Sequence, residues 1–362
     1  DAYEDVRRFY SLIGAPPDNT GYFLGPEGHG YSSHNQKAML SFFANHAKIK
    51  AISTTPRPVP VRDLNATRKG EVIEEGATPI FELVREKAES ISARRKKQSI
   101  TALRKQVSRL LDLSAVSEPP HHRCLRSTKI AGQTYARFAV ESENDIRVIL
   151  RKPMDTGHTH TLDVERDATL YLPHLSSEED FSTDVDAKRL TGTKALYALD
   201  VRGLGESLPD DDRGFFHAYG VDYMHNGYGH MLGQSFLGRR VHDVLRTIDL
   251  LVSEGAKKVN LIGRGQGAVL ATYAGLLHAK TGTVLLKNGP LSYLEWTQTP
   301  LVTWPFANLP SGSLKRFDIS DCIRALGKRV TLVQPWDPAM KPYTKAQLSK
   351  SIDAAGLGDT RR

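Results

Sequence analysis

One short stretch of the chain constrains the fold most, because a strand, a glycine-rich turn and a helix follow one another without interruption. The apolar segment Lys258–Ile262 predicts the strand, and Ala268–Ala279 predicts the helix. Between them, Gly263-Arg-Gly-Gln-Gly267 supplies glycines that let the backbone turn sharply. Such a unit is typical of a sheet that has helices packed on its faces.

Strand and helix patterns also alternate on both sides of this turn. Tyr135–Val140 and Ile146–Arg151 alternate apolar and polar residues and predict an antiparallel hairpin. The remaining segments are four buried strands and one long helix: Ala168–Leu172, Ala195–Leu199, Thr283–Lys287, Arg329–Val333 and the helix Leu237–Ser253. A hairpin followed by alternating strands and helices predicts the α/β class, with a mostly parallel sheet and flanking helices.

Composition excludes several other classes of protein. A chain of 362 residues that is 40% hydrophobic can bury a core, and its length suggests about two domains. No apolar run is long enough for a membrane helix, so we expect no membrane partner. Cys124 and Cys322 are too few for a disulfide framework or a thiolate metal site, and we expect neither a metal nor another cofactor.

The net charge of +8 would suit a nucleic-acid partner, but its distribution argues against one. Much of the excess lies in Arg85–Arg109, around the run Arg94–Lys97. Apolar residues recur there at helical spacing, so Pro79–Leu113 predicts a basic amphipathic helix with a solvated back. No nucleic-acid-binding motif accompanies it, although a contact with an anionic polymer stays an alternative.

The first fifty residues predict a separate piece, with a helix over residues 2–13, a strand at Gly21–Leu24 and a second helix capped by Ser32 or Ser33. His29 lies in the glycine-rich loop between the strand and the second helix. This piece is too small to bury a core of its own, so we expect it to be the end of a larger domain.

The central turn has the frame of a nucleophile elbow, Gly-x-Ser-x-Gly, but Gly265 stands where the serine belongs. Glycine has no group that could form an acyl-enzyme. A dinucleotide-binding motif fits poorly because position 268 is alanine. An anion site at the helix N-terminus beside Arg264 stays an alternative. Ser207 and Ser235 are weak candidates for displaced nucleophiles, because neither occupies a sharp strand-to-helix turn.

Three stretches resemble the acetyl xylan esterase-like family of α/β hydrolases: Gly28-His-Gly-Tyr-Ser32 with Gln36-Lys-Ala-Met-Leu40, Tyr197–Ser207, and Leu237–Leu245. The resemblance implies two hydrolase domains in tandem in a longer parent protein. On this hypothesis, residues 1–50 are the C-terminal end of the first domain. Residues 51–128 form a linker with the basic helix, and residues 129–362 form the second domain.

The resemblance also implies roles for single residues. His29 matches the general base of the first domain, whose serine and acid would precede Asp1. In the second domain, Gly265 matches the nucleophile position and Asp337 the acid, but no histidine follows His278. That domain therefore resembles a pseudo-hydrolase. His29 could instead pair with Asp337, if the N-terminal strand docked beside Arg329–Val333.

Histidines and aromatic residues between the Asp200 loop and the long helix could line a substrate pocket, with Tyr219, Tyr223 and His225 as candidates; simple packing is the alternative. The resemblance implies a carboxylic-ester hydrolase as parent, with an acetylated carbohydrate or small ester as substrate and the upstream hydrolase domain as partner. This chain alone is expected to be inactive. A non-catalytic carbohydrate- or protein-binding scaffold is the alternative function. The compartment stays open, and secretion or a periplasmic location is compatible with the sequence.

Overall fold

A computed structural model describes residues 2–50, 58–114, 118–155, 159–193, 195–209 and 222–358. The chain folds as two compact units, Asp1–Ala77 and Thr78–Arg362. Among the described residues, no helix combines the length and apolar character that crossing a membrane requires.

The first unit is helical and buries almost nothing. Its helices are α1 (Ala2–Leu12), α2 (Ser33–Ala47) and α3 (Val61–Leu64). The Ser32 side chain caps α2 by accepting a hydrogen bond from the backbone of Asn35. Among its described apolar residues only Ala44 is buried, while Phe9, Leu12 and many others are exposed. Packing within this unit therefore contributes little apolar burial.

The expected strand at Gly21–Leu24 does not form. The segment pairs with no other strand among the described residues, and Tyr22 and Leu24 are 67% and 79% exposed. The apolar pattern suited a strand, but a strand needs a neighbour to take up its backbone hydrogen bonds.

The second unit is built on one mixed sheet. Within its described residues the strands are β1 (His122–Ile130), β2 (Gln133–Glu143), β3 (Ile146–Met154), β4 (Asp167–Leu172), β5 (Leu196–Asp200), β6 (Lys258–Arg264), β7 (Thr281–Lys287) and β8 (Val330–Val333). They lie in the order β1-β2-β3-β5-β4-β6-β7-β8. Strands β1 to β3 form an antiparallel meander that joins β5, and the strands from β5 to β8 run parallel. The predicted α/β class with its hairpin is confirmed, and β1 is an additional strand.

Helices surround this sheet. The described ones are α4 (Ile80–Ala93), α5 (Ile100–Leu110), α6 (Ser177–Thr183), α7 (Val185–Leu190), α8 (Asp222–Met231), α9 (Phe236–Ser253), α10 (Gln266–Leu277), α11 (Tyr293–Thr297), α12 (Ile319–Leu326) and α13 (Lys345–Ala354). Helix α10 is buried over nearly its whole length, which explains its lack of a polar face. It packs on β6 and β7 and holds the turn that precedes it in place.

The single basic helix expected over Pro79–Leu113 is wrong, because the segment forms two helices. Helix α4 ends at Ala93, and Ser99 begins α5 by accepting a hydrogen bond from the backbone of Ala102. The four consecutive cations Arg94–Lys97 lie in the break between these helices.

Part of the segment predicted as a linker contributes to the core of the second unit. Leu103, Val107 and Leu111 are buried in the main core cluster with side chains from the sheet and from α9 and α10. The contact boundary at Ala77/Thr78 therefore falls inside the predicted linker, residues 51–128. The tandem division itself stays a prediction.

Candidate functional site: a filled nucleophile elbow

The turn between β6 and α10 has the geometry of a nucleophile elbow. Gly265 has φ 55° and ψ −117°, a conformation that L side chains rarely adopt. A Cβ on Gly263 would lie 2.3 Å from the carbonyl oxygen of Gly267, so the two arms of the turn are too close for larger residues. The sequence therefore preserves the tight turn while its central residue lacks a side chain.

The imidazole of His174 fills the space above Gly265. A Cβ on Gly265 would lie 2.2 Å from Nδ1 of His174, far inside any normal contact distance. The backbone N–H of Gln266 donates a hydrogen bond to the same Nδ1 atom over 3.3 Å. In hydrolases with this turn, the N–H of the residue after the nucleophile helps to bind the developing oxyanion. Here Nδ1 of His174 accepts the hydrogen bond from that N–H.

Hydrogen bonds to neighbouring groups hold His174 and Gln266 together. The Gln266 side chain donates Nε2–H to the carbonyl oxygen of His174 over 3.0 Å, and its Oε1 accepts from Asn308 over 2.9 Å. The Trp336 ring lies nearly perpendicular to the imidazole at a centroid distance of 5.4 Å. All of these residues except Trp336 are buried, so the ring is tightly enclosed.

Burial also fixes the protonation state of His174. Desolvation, with the Arg264 guanidinium as a second cause, lowers the pKa of His174 from 6.5 to about 4. At neutral pH the ring is therefore neutral, and Nδ1 is the acceptor that the Gln266 N–H requires.

Arg264, the residue before the turn, lies in a network of carboxylates. Its guanidinium bonds to Asp180 over 2.5 Å and approaches Asp184 at 3.3 Å, while Lys287 bonds to Asp184 over 2.8 Å. Burial raises the pKa of Asp180, although Arg264 opposes this effect. Because its cation already has carboxylate partners, Arg264 is poorly suited to the anion site that the sequence left open.

The Asp337 side chain stabilises a turn that follows β8. Its Oδ1 accepts backbone hydrogen bonds from Ala339 and Lys341 at 2.9 and 2.8 Å, and its carbonyl oxygen accepts from the indole of Trp304. This geometry is that of a side chain that stabilises a local turn. Its match to a catalytic acid stays a prediction.

His29 lies in an exposed loop of the first unit, where the backbone carbonyl of Gly30 accepts from the Asn35 side chain. The second unit is a separate body, so the proposed pair with Asp337 also stays a prediction.

Of the substrate-pocket candidates, Tyr219 lies outside the described residues. Tyr223 and His225 lie on α8, where the His225 ring packs 5.4 Å from that of Phe236. Burial lowers the pKa of His225. His225 lines a groove of about 570 Å³ between α8, the start of α9 and the β2–β3 turn. The described lining of this groove includes neither Gly265 nor His174.

The described part of the chain contains no group of three His, Cys, Asp or Glu side chains arranged for a metal ion.

The sequence did not predict a role for the side chain of His174, which lies just after the end of β4. The backbone N–H of His174 also donates a hydrogen bond to Asp180 over 3.1 Å. The signal for the side-chain role was the combination of a glycine at the elbow centre and a histidine after the neighbouring strand.

Comparisons with known proteins agree with this fold. A Bacteroides fragilis structure whose assignment as an acetyl xylan esterase is provisional superposes with a TM-score of 0.51 at 14% identity, covering 82% of this chain and 81% of that one. Acetyl xylan esterases from Paenibacillus sp. R4 and Thermoanaerobacterium sp. give TM-scores of 0.45 and 0.43 at 13% and 14% identity; each match covers 79% of this chain, and 92% and 90% of theirs. No protein-family model and no curated protein sequence matches the chain.

At this level of identity the likeness shows the fold alone. The second unit has an α/β-hydrolase-like fold, with a mostly parallel sheet and flanking helices.

Proposed function

We propose that the Thr78–Arg362 unit is a non-catalytic α/β-hydrolase domain of a carbohydrate acetylesterase-like protein. The observation that carries this proposal is the hydrogen bond from the Gln266 N–H to the imidazole of His174 above Gly265. Acyl transfer needs a nucleophile and a free oxyanion donor. A glycine at the turn centre and a side-chain acceptor on the following N–H therefore support the proposal.

The remaining residues support the same conclusion. Residues 338–362, which follow the acid position Asp337, contain no histidine that could act as a general base. The Asp337 carboxylate accepts two backbone hydrogen bonds from its own turn. Restoring a single group would therefore not restore a catalytic triad.

For the first unit we propose the end of an upstream hydrolase domain, with His29 as its general base. The exposed apolar side chains of this unit support the proposal, because Phe9, Leu12 and Leu24 are 60%, 78% and 79% exposed. A surface of this kind is typical of a segment that packs against another protein body. The parent's substrate would then be an acetylated carbohydrate or a small ester.

The test is hydrolysis of p-nitrophenyl acetate by this chain alone. We expect no rate above buffer, since the described residues of neither unit bring a nucleophile, a base and a free oxyanion donor together at the elbow. Gly265→Ser should also remain inactive, because the His174 ring fills the space of the new side chain and already accepts the hydrogen bond of the Gln266 N–H. Sustained turnover that disappears in His29→Ala would reveal an unrecognised nucleophile and overturn the proposal.

A further inference from the structure

The break between α4 and α5 forms one wall of a basic groove of about 680 Å³. Residues of α12 and Gly356 form the opposite wall, and the cationic side chains that line the groove are Arg95, Lys96, Lys97 and Arg324. Asp321 is the one carboxylate among the described lining residues. The groove belongs entirely to the second unit.

The charge of this groove is only partly compensated. Asp321 pairs with Arg95 at 3.2 Å and also bonds to Arg324, so one carboxylate serves two guanidinium groups. Within the described part of the chain, neither Lys96 nor Lys97 pairs with a carboxylate, and both are exposed. The groove therefore carries a net positive charge that a ligand could neutralise.

The walls of the groove are fixed by long-range contacts. Arg95 donates to the carbonyl oxygen of Leu314, and Gln98 donates Nε2–H to that of Arg316 over 3.0 Å. Helix α5 also begins here, at Ile100 with Ser99 as its N-cap, and its N-terminus adds a positive dipole end to the cations. The lysines thus project from an anchored segment.

We propose that this groove binds an acidic polysaccharide, with Lys96, Lys97 and Arg324 contacting uronate carboxylates. Arg324 is 50% exposed, so its guanidinium can take a second carboxylate beside Asp321.

The lining disfavours nucleic acid as the occupant. It contains no aromatic residue among its described members, whereas single strands are commonly held by base stacking on aromatic rings. The choice of a polysaccharide rests on the proposed function, because that proposal supplies the carbohydrate class.

The test measures binding of a six-residue oligoglucuronate to the full chain, beside neutral xylohexaose and a single-stranded RNA of equal charge. We expect the oligoglucuronate to bind more tightly than the RNA and xylohexaose not to bind. Lys96→Glu/Lys97→Glu should weaken oligoglucuronate binding at least tenfold. The matched control is Lys257→Glu/Lys258→Glu, an exposed lysine pair at the start of β6 that does not line the groove; it should change the affinity less than twofold.

Three results would overturn the proposal: no binding of oligoglucuronate, equal losses in the two double variants, or tighter binding of RNA. The first would remove the site, the second would reduce it to a general charge effect, and the third would make the partner a nucleic acid. None of these results bears on ester hydrolysis, so a failure here is distinguishable from a failure of the proposed function.

Discussion

Gly265→Ser should destabilise the second unit by roughly 2–5 kcal/mol, the sum of a strained backbone and an overpacked side chain. The glycine has φ 55° and ψ −117°, and a new Cβ would lie 2.2 Å from Nδ1 of His174. The imidazole and a side chain at position 265 therefore exclude one another. Urea unfolding of the variant and of the wild type measures the change in the free energy of unfolding.

A double-mutant cycle separates the two causes. In a His174→Ala background the ring is gone, so Gly265→Ser should cost about 1–3 kcal/mol less than it does in the wild type. The backbone strain remains in both backgrounds and sets the residual cost. Additive effects within about 0.5 kcal/mol would mean that the two positions do not compete for the same space.

The second prediction concerns pH. Burial lowers the pKa of His174 to about 4 in the folded chain, against an ordinary value of 6.5. Between these values the unfolded chain binds a proton that the folded chain does not, so stability falls as the pH is lowered through this window. At 1.36 kcal/mol per unit of pKa shift, this shift corresponds to about 3 kcal/mol in the free energy of unfolding.

His174→Gln isolates this contribution, because the amide oxygen can accept the Gln266 N–H but has no proton to gain. The difference in unfolding free energy between wild type and His174→Gln should shift by about 3 kcal/mol, against the wild type, from pH 7 to pH 4. His121→Gln, at an exposed position just before β1, is the matched control and should give a profile parallel to the wild type. A constant difference for His174→Gln as well would contradict the buried, neutral imidazole.

Much of the fold could be predicted from local patterns. The hairpin of β2 and β3 alternates polar and apolar residues, and β6 with α10 shows a strand, a glycine-rich turn and an apolar helix. These patterns are local in sequence, so they predict the elements without any knowledge of the tertiary contacts. The strand order, with β5 between β3 and β4, was not predicted from the sequence.

The sequence predictions were wrong where tertiary contacts determine the local secondary structure. Gly21–Leu24 has the composition of a strand but no partner among the described residues, and Arg94–Lys97 looked like one face of a helix but forms a break. Arg95 illustrates the reason, since its ion pair with Asp321 joins positions more than 200 residues apart. Propensity gives no information about such a contact.

The candidate site could be predicted only in part for the same reason. Gly265 was visible as an elbow without a nucleophile, because the motif is contiguous in sequence. The position of the His174 side chain was not visible, since it comes from the neighbouring strand β4 and meets the turn only through the parallel pairing of β4 with β6.

The most direct test of the central claim is labelling of the full chain with a fluorophosphonate probe, followed by peptide mass spectrometry. Such probes form a covalent adduct with a serine that a base and an oxyanion site activate. With Gly265 at the elbow and His174 on the Gln266 N–H, we expect no labelled serine. A stoichiometric adduct, at Ser207 or Ser235 for example, would show a working nucleophile and contradict the non-catalytic assignment.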